Sequence, residues 1–118
     1  MLFDTTQAAL EGAISGAALR HQALAANLAN ANTPGYQRVD VDFHSTLSAA
    51  LASGADGLHG LKFSAQVDAS GATRADGSSV DVDAESAKLA QNALEHQAAV
   101  QVAHARIGIL RSAMGTGA

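Results

Sequence analysis

Both ends of the chain carry apolar and small residues in steps that alternate between four and three, and this spacing constrains the fold most. In the N-terminal segment the series is Phe3, Gln7, Leu10, Ile14, Ala17, His21, Leu24, Leu28 and Ala31. In the C-terminal segment it is Leu89, Ala93, His96, Val100, Ala103, Ile107, Leu110 and Met114. Heptad spacing is typical of helices that pair along a narrow seam. We therefore predict long helices over residues 4–31 and 84–114.

The two helices are predicted to form an antiparallel coiled-coil pair, because the short segment between them offers neither helix another apolar partner. The residues that carry this predicted seam are Leu10, Ile14, Leu24, Leu28, Leu89, Val100, Ile107 and Leu110. The fold class is then mainly α, with a short irregular or β insert. The predicted regions are an N-terminal helix and turn at 1–36, a loop-rich insert at 37–80 and a C-terminal helix at 81–118.

Capping residues set the predicted ends of the helices. Asp4 is the predicted N-cap of the first helix. Asp83 is the predicted N-cap of the last helix, and Glu85 adds negative charge where the helix dipole favours it. Gly115 and Gly117 are the predicted stop signals of that helix.

The insert combines helix, strand and loop signals. Apolar residues four apart from Phe43 onward predict a short helix that Gly54 ends. Apolar and polar residues alternate over 61–68, which predicts a strand. The tetrapeptide VDVD occurs at 39–42 and again at 80–83. We interpret both copies as short extended segments at the junctions between the insert and the helices.

The composition predicts a thin core. Of the 118 residues, 47% are hydrophobic but only 3% are aromatic, so alanine supplies most of the apolar content. Alanine buries little apolar area, and the backbone entropy lost on folding is about 1–2 kcal/mol per residue. We therefore predict that the isolated chain is largely unstructured at both ends.

Several classes of function are disfavoured by charge and composition. The net charge of −4 argues against a nucleic-acid partner, since phosphate binding needs clustered lysine and arginine. The chain has no cysteine, which excludes disulfides and thiolate metal sites. Residues 1–4 do not resemble the start of a secretory signal peptide, and no run of 18 apolar residues could span a bilayer.

No residue pattern predicts a catalytic, metal or cofactor site. The five histidines match neither H-x-x-x-H nor H-E-x-x-H spacing, and we expect His21 and His96 to be packed in the seams. Asp81, Asp83 and Glu85 alternate, but they lack the glycine and the distant glutamate of a calcium-binding EF-hand loop. Helix capping explains Asp83 and Glu85 more simply. The sequence therefore predicts that the protein is not an enzyme.

The chain's single proline lies in a turn signal at the end of the first helix. In Thr33-Pro34-Gly35-Tyr36, proline is the second residue and glycine the third, which predicts a type II turn. Proline disfavours helical backbone at the residue before it, so the helix must stop near Asn32. Asn32 is a predicted left-handed cap of that helix.

Asparagines crowd the last turns of this helix, although asparagine is a poor helix former. Two interpretations of Asn27 and Asn30 stay open, namely paired amides that fix the register between helices or exposed amides near a fraying end. We predict that the turn is an assembly element, since amides supply both donors and acceptors without placing charge in a contact. The alternative is that these residues only shape the turn. The predicted assembly motif consists of Asn27, Asn30, Asn32, Thr33, Pro34, Gly35 and Tyr36.

The stretch LAANLANANTPGYQRVDVDF, at 24–43, resembles the N-terminal motif of the bacterial flagellar rod, hook and hook-associated axial proteins. The ending VDVDAESAKLAQNALEHQAAVQVAHARIGILRSAM also resembles that family. Together the resemblance covers roughly residues 1–43 and 80–114. It implies a structural subunit of the proximal rod in the basal body, packed helically around the export channel, with the paired terminal helices forming the inner tube.

The resemblance also implies partners and a route of delivery. The implied partners are other rod subunits, further copies of the same chain, and adaptor proteins of the MS ring and export gate, with no cofactor. Family members are exported unfolded by the flagellar type III apparatus into the rod that spans the periplasm. The alternative is a soluble helical adaptor or chaperone of a secretion system, which long amphipathic helices alone would permit.

Overall fold

The computed structural model describes residues 5–115 and contains two long helices joined by a small insert. In chain order the elements are α1 (Thr5–Ala29), β1 (Val39–Asp40), α2 (Phe43–Ala52), α3 (Ala55–Leu58), β2 (Gln66–Val67) and α4 (Val82–Ala113). The Cα atoms extend over 63 × 31 × 14 Å. Since one helix with its side chains is about 10–12 Å across, most of the molecule is a single layer. The predicted mainly α fold class is confirmed.

Helices α1 and α4 pack as the predicted antiparallel pair. The Asn92 side chain donates from Nδ2 to the backbone oxygen of Ala17 at 2.8 Å. Further along, Asn27 of α1 donates to Glu85 of α4 at 3.2 Å. Residue numbers rise along one helix as they fall along the other, so these two contacts fix the antiparallel direction.

The α1 side of the pair agrees in part with the predicted seam. Leu24 is fully buried, and Leu10, Ile14 and Leu28 are half-buried. His21 is exposed instead of lying in the seam. The first buried position among the described residues of α1 is Gly16, so the helix is covered mainly along its second half.

The predicted seam of α4 is wrong at Val100 and Ile107, which are 39% and 48% exposed. Leu89 and Leu110 are half-buried, as expected for residues at the edge of the contact between the two helices. The buried positions of α4 are Glu85 and Asn92, seven residues apart. Their bonds to α1 turn the helix so that this polar column, and not the column of Val100 and Ile107, faces the partner helix.

The insert packs its short helix against α1. Asp42 caps α2 by accepting from the backbone N–H of Ser45, and Gly54 has a φ of 79° just beyond its end. This confirms the predicted helix and its stop. Phe43, at the start of α2, is buried in a small core with Ala17, Ala23 and Val41.

Two predicted boundaries shift. The strand predicted over 61–68 is reduced to Gln66–Val67, because its antiparallel partner Val39–Asp40 is also only two residues long before the chain enters α2. The N-cap of α4 is Asp81 and not the predicted Asp83, since Asp81 accepts from two backbone N–H groups of the first turn. The predicted cap Asp4 and stop signal Gly117 lie outside the described residues.

Candidate assembly site: the asparagine turn and the charged junction

The turn at Thr33-Pro34-Gly35-Tyr36 has the predicted geometry. The Tyr36 N–H donates to the Thr33 carbonyl at 3.2 Å, which closes the turn. Gly35 has a φ of 75°, the value that the third residue of a type II turn requires. The Gly35 N–H also donates to the Asp76 carbonyl at 2.9 Å. The turn is therefore tied to the last loop of the insert.

The first helix ends before the turn without a left-handed cap. Helix α1 ends at Ala29, and the Asn30 N–H still reaches the carbonyls of Ala26 and Asn27. Within residues 5–115, every residue with positive φ is a glycine. The predicted left-handed cap at Asn32 is therefore wrong, because tightened right-handed turns satisfy the last carbonyls instead.

Asn27 is fully buried, and its amide uses all of its hydrogen-bonding capacity within the chain. Its Nδ2 donates to the Val39 carbonyl at 2.6 Å and to Glu85 at 3.2 Å. Its Oδ1 accepts from the Val39 N–H at 2.8 Å and from the Tyr36 hydroxyl at 3.3 Å. An amide offers two donors and two lone pairs, so Asn27 has nothing left for a second chain. The amide is therefore paired between the helices, as one of the two interpretations expected, and its part in assembly stays a prediction.

The other motif residues differ in exposure. Asn30 is half-buried and bonds locally, to the Ala26 carbonyl at 2.8 Å and to the Thr33 hydroxyl at 3.2 Å. Asn32 is exposed, and its side chain makes no hydrogen bond within the described chain. Thr33, Pro34 and Gly35 are also exposed. The motif thus divides into an inner amide, Asn27, and an accessible rim.

A charged junction, formed by Arg20, Arg38, Asp40, Asp68 and Glu85, lies beside the inner amide. The Arg38 guanidinium donates to the carboxylates of Glu85, Asp40 and Asp68. The side chains of Arg38 and Glu85 are only 5% and 1% exposed. Arg20 adds a second cation on Asp40, at 2.8 Å. The junction therefore joins α1, the two strands and the start of α4.

Hydrogen bonds shift the pKa values of three groups of the junction in favour of their charged forms. Burial alone would lower the pKa of the Arg38 guanidinium, but its bonds to Glu85 and Asp40 outweigh burial and raise that pKa. Burial would raise the pKa of Asp40, but hydrogen bonds from Arg20 and the Val41 N–H hold it below 3.8. Hydrogen bonds from Ser70 lower the pKa of Asp68. Arg38, Asp40 and Asp68 are thus held in their charged forms at neutral pH.

Sequence reasoning missed Arg38, Asp40 and the buried role of Glu85. A signal existed, since residues two apart in an extended segment point to the same face. Arg38 and Asp40 therefore had to share one face beside the turn. Nothing local indicates that Glu85, 47 residues further along, completes the pair.

Helix α4 shows an inverted distribution of polar and apolar residues. No large apolar side chain of this helix is buried, whereas Glu85 and Asn92 are. Leu94, Val102 and Ile109 are 67%, 50% and 69% exposed. Leu94, Val102 and Ile109 belong to one exposed strip along the side of α4 that α1 does not cover. The strip consists of positions 94, 98, 101, 102, 105 and 109. We call these residues the outward face of α4.

The exposed surface of α4 also lacks ionic groups. Between residues 86 and 110, the charged side chains are Lys88, Glu95 and Arg106, and all three are half-buried. The Glu95 carboxylate lies 2.8 Å from the His44 ring of α2. Every exposed residue in this range is uncharged, counting histidine as neutral. A helix face that is exposed to water normally carries charged and polar residues. This one has the composition of a surface that another chain covers.

The described residues show neither a membrane helix nor a cluster of metal ligands. No helix in residues 5–115 is long and apolar enough to cross a bilayer. Over the same range, no three side chains of histidine, cysteine, aspartate or glutamate are placed to hold a metal ion.

Comparison with known proteins identifies the family. The family model of the flagella basal body rod protein matches residues 8–37, which include most of α1 and the turn. Over 126 residues the chain is 31% identical to the flagellar basal body rod protein FlgB of Aeromonas hydrophila, covering 96% of each chain.

Other relatives give the same result. The FlgB protein of Salmonella typhimurium is 34% identical over 122 residues, covering 86% of this chain and 88% of the relative. That of Bacillus subtilis is 32% identical over 126 residues, covering 98% of each. These names favour a rod protein over a soluble adaptor or chaperone. The chain belongs to the FlgB group of the flagellar basal body rod proteins, and it is a structural rod subunit of the flagellar basal body.

Proposed function

We propose that this rod subunit is held in the proximal rod by the outward face of α4, which packs against neighbouring subunits arranged helically around the export channel. The observation that carries the proposal is the inverted helix: its buried residues are the polar Glu85 and Asn92, whereas Leu94, Val102 and Ile109 are exposed. Burial of apolar surface contributes roughly 25 cal/mol per Å². Contact with a neighbouring subunit would bury the exposed side chains of Leu94, Val102 and Ile109 and so stabilise the assembly.

The accessible rim of the asparagine turn is the second proposed contact. Asn32, Thr33, Pro34 and Gly35 are exposed at the end of the helix pair. At this position the rim can meet the next subunit along the rod, while Asn27 keeps the turn in place from inside. Further copies of this chain, other rod subunits and adaptor proteins of the MS ring and export gate are the proposed neighbours.

The proposed route to the rod is export in an unfolded state by the flagellar type III apparatus. A small core supports this proposal. Every buried residue in the described chain lies between Gly16 and Asn92. Four of the nine buried hydrophobic residues are alanines (Ala17, Ala23, Ala31 and Ala50). A core of this kind resists unfolding weakly and can re-form once neighbouring subunits cover the helices.

Placing a charge on the outward face tests the proposal. Ala98→Glu puts a carboxylate on an exposed helix position, where glutamate is a good helix former, so the subunit itself should fold normally. We expect export to continue, but incorporation into purified basal bodies and motility to be lost. The matched control is Ala69→Glu, at an exposed position of the insert. Normal basal bodies with Ala98→Glu would refute the proposal.

A further inference from the structure

A groove runs between α1 and α4 at the level where the two helices touch. Small side chains form its walls, among them Ala17 and Ala18 from α1 and Ala93 from α4. Asn92 lies at its base and is fully buried. None of the residues that line the groove is an aspartate, glutamate, lysine or arginine.

The Asn92 amide is only half satisfied. Its Nδ2 donates to the Ala17 carbonyl at 2.8 Å, whereas its Oδ1 is buried without a hydrogen-bond partner in the described chain. Exchanging the two amide atoms would place oxygen against oxygen, so the bond to Ala17 fixes which atom is unpaired. A buried acceptor without a donor costs roughly 1–3 kcal/mol. The base of the groove thus lacks a donor.

Two imidazoles border the same groove. His21 lies one turn beyond Ala17 on α1, and His96 lies one turn beyond Asn92 on α4. Side chains on a helix tilt toward its N-terminus. Because the helices are antiparallel, both rings lean toward the level of Asn92 from opposite ends. The groove is therefore a mainly apolar, uncharged depression with small walls, and the unpaired acceptor of Asn92 is buried at its base.

We propose that this groove receives the outward face of α4 from a second copy of the chain, with a glutamine N–H of that copy donating to Asn92 Oδ1. The inference rests on the proposed function and names the neighbour. Both surfaces are uncharged, which favours their contact over contact with a charged partner. The outward face presents large side chains, such as Leu94, that the alanine walls can admit.

The outward face also brings the missing donor. Gln101 lies in this face and Gln91 lies beside it, and both are exposed. Each amide carries two N–H groups, one of which in Gln91 donates to Glu95 at 3.4 Å. The groove and the outward face lie on different sides of the same helix pair. A contact between two different patches is heterologous, and it propagates from copy to copy instead of closing into a dimer. That is the type of contact that a helical rod requires.

Cysteine cross-linking in assembled rods tests the inference, because the chain has no cysteine of its own. Ala93→Cys marks the groove and Ala98→Cys marks the outward face, both at exposed positions. Mild oxidation of rods that contain the double variant should give dimers and a ladder of higher multimers. The single variants should give none, and neither should Ala93→Cys combined with Ala69→Cys in the insert.

The outcomes separate the inference from the proposed function. Rods that incorporate the double variant without a cross-link would refute the groove contact and leave the rod function standing. Dimers from Ala93→Cys alone would show a symmetric contact and would also refute it. If the cysteine-free parent chain were missing from purified rods, the proposed function itself would fail.

Substitution of the two exposed glutamines, which removes their donor N–H groups, is a second test of the inference. Gln91→Met with Gln101→Met keeps side-chain length on exposed positions and removes the N–H groups. We expect about a tenfold loss of cross-linked product, in line with one lost hydrogen bond to a buried acceptor. The matched control is Gln66→Met, at an exposed position in β2. An unchanged yield with the glutamine variants would overturn the assignment of the donor.

Discussion

Arg38 and Glu85 form an ion pair that is nearly excluded from solvent and joins positions 47 residues apart. Arg38 follows the turn at the end of α1, and Glu85 lies in the first turns of α4. The pair therefore connects the two ends of the insert and sets where the long helices meet. Asn27 donates to the same carboxylate, which adds α1 to the connection.

Arg38→Met is expected to destabilise the subunit strongly, because Glu85 would remain buried without its cation. Breaking a buried pair from one side costs about 3–5 kcal/mol. The control is Arg74→Met, which removes the exposed Arg74–Asp76 pair and should have a much smaller effect, because solvent screens exposed ion pairs. Urea unfolding followed by circular dichroism measures both. Equal effects of the two substitutions would contradict the structural role of the buried pair.

Local signals explain which parts of the fold were predictable. The type II turn follows from Pro34 and Gly35, and the short helix from Phe43 onward follows from its spacing and Gly54. The long helices follow from their periodicity. Each of these features is decided by residues within a few positions of one another.

The features that sequence reasoning missed depend on distant partners. The α4 seam is set by Asn92 bonding to Ala17 and Glu85 bonding to Asn27, so polar residues occupy positions that a hydrophobic pattern assigns elsewhere. Val100 and Ile107 fit the heptad equally well by spacing, yet they are exposed. The spacing of apolar residues alone cannot show whether they face the partner helix of the same chain or the exposed surface of the subunit.

Acid should weaken the junction through Asp40. Hydrogen bonds from Arg20 and the Val41 N–H outweigh burial and keep the folded pKa of Asp40 below its usual value, and an unfolded aspartate titrates at about 3.9. The resulting stability is fully present above the unfolded pKa and is lost as the pH falls through the folded pKa. The free energy of unfolding should therefore be flat from neutral pH down to about pH 5 and fall below about pH 4.

The substitution Arg20→Gln isolates this effect. It removes one of the two cations on Asp40, so the folded pKa of the Asp40 carboxyl should rise toward the unfolded value. The acid-induced loss of stability should still begin near the unfolded pKa, but it should be smaller and complete at a higher pH. An NMR titration of the Asp40 side chain measures the shift directly. A titration curve that does not move would show that Arg20 does not stabilise the ionised carboxylate.

Glycine-to-alanine changes in α1 should have opposite effects at two positions one helical turn apart. A Cβ at Gly16 would lie 2.8 Å from Cβ of Phe43, a rigid part of the core. Gly16→Ala should therefore destabilise by about 1–3 kcal/mol, despite its better helix propensity. A Cβ at Gly12 meets the mobile end of Leu47 at 3.1 Å. Gly12→Ala should leave the free energy of unfolding unchanged or raise it. Urea unfolding of both variants measures the two effects.

Asn27 and Asn32 should differ in what their loss affects. Asn27→Ala removes four hydrogen bonds from a fully buried site, so we expect a loss of roughly 3 kcal/mol or more and failure of the junction to form. Asn32→Ala should leave stability within about 0.5 kcal/mol, because the residue is exposed and unbonded.

Motility assays then test the role of the rim. If Asn32 contacts a neighbouring subunit, Asn32→Ala should be exported normally and incorporated poorly. A fully motile Asn32→Ala strain with normal basal bodies would show that the exposed asparagine only shapes the turn. Unfolding of purified Asn27→Ala and Asn32→Ala, each compared with the parent chain, provides the control for folding.

Amide exchange should divide the free subunit into a protected junction and unprotected helix ends. Each buried residue of the described chain lies within 16–92, and the outer segments of α1 and α4, at 5–15 and 93–113, contain none. An isolated helix that buries nothing is marginal in water. Amides of 5–15 and 93–113 should thus exchange nearly as fast as in an unfolded chain, whereas those around Leu24 and Asn92 should be slowed. In assembled rods, the outer segments should become protected as neighbouring subunits cover them. Strong protection at both ends of the free monomer would mean that the helix pair is stable without assembly.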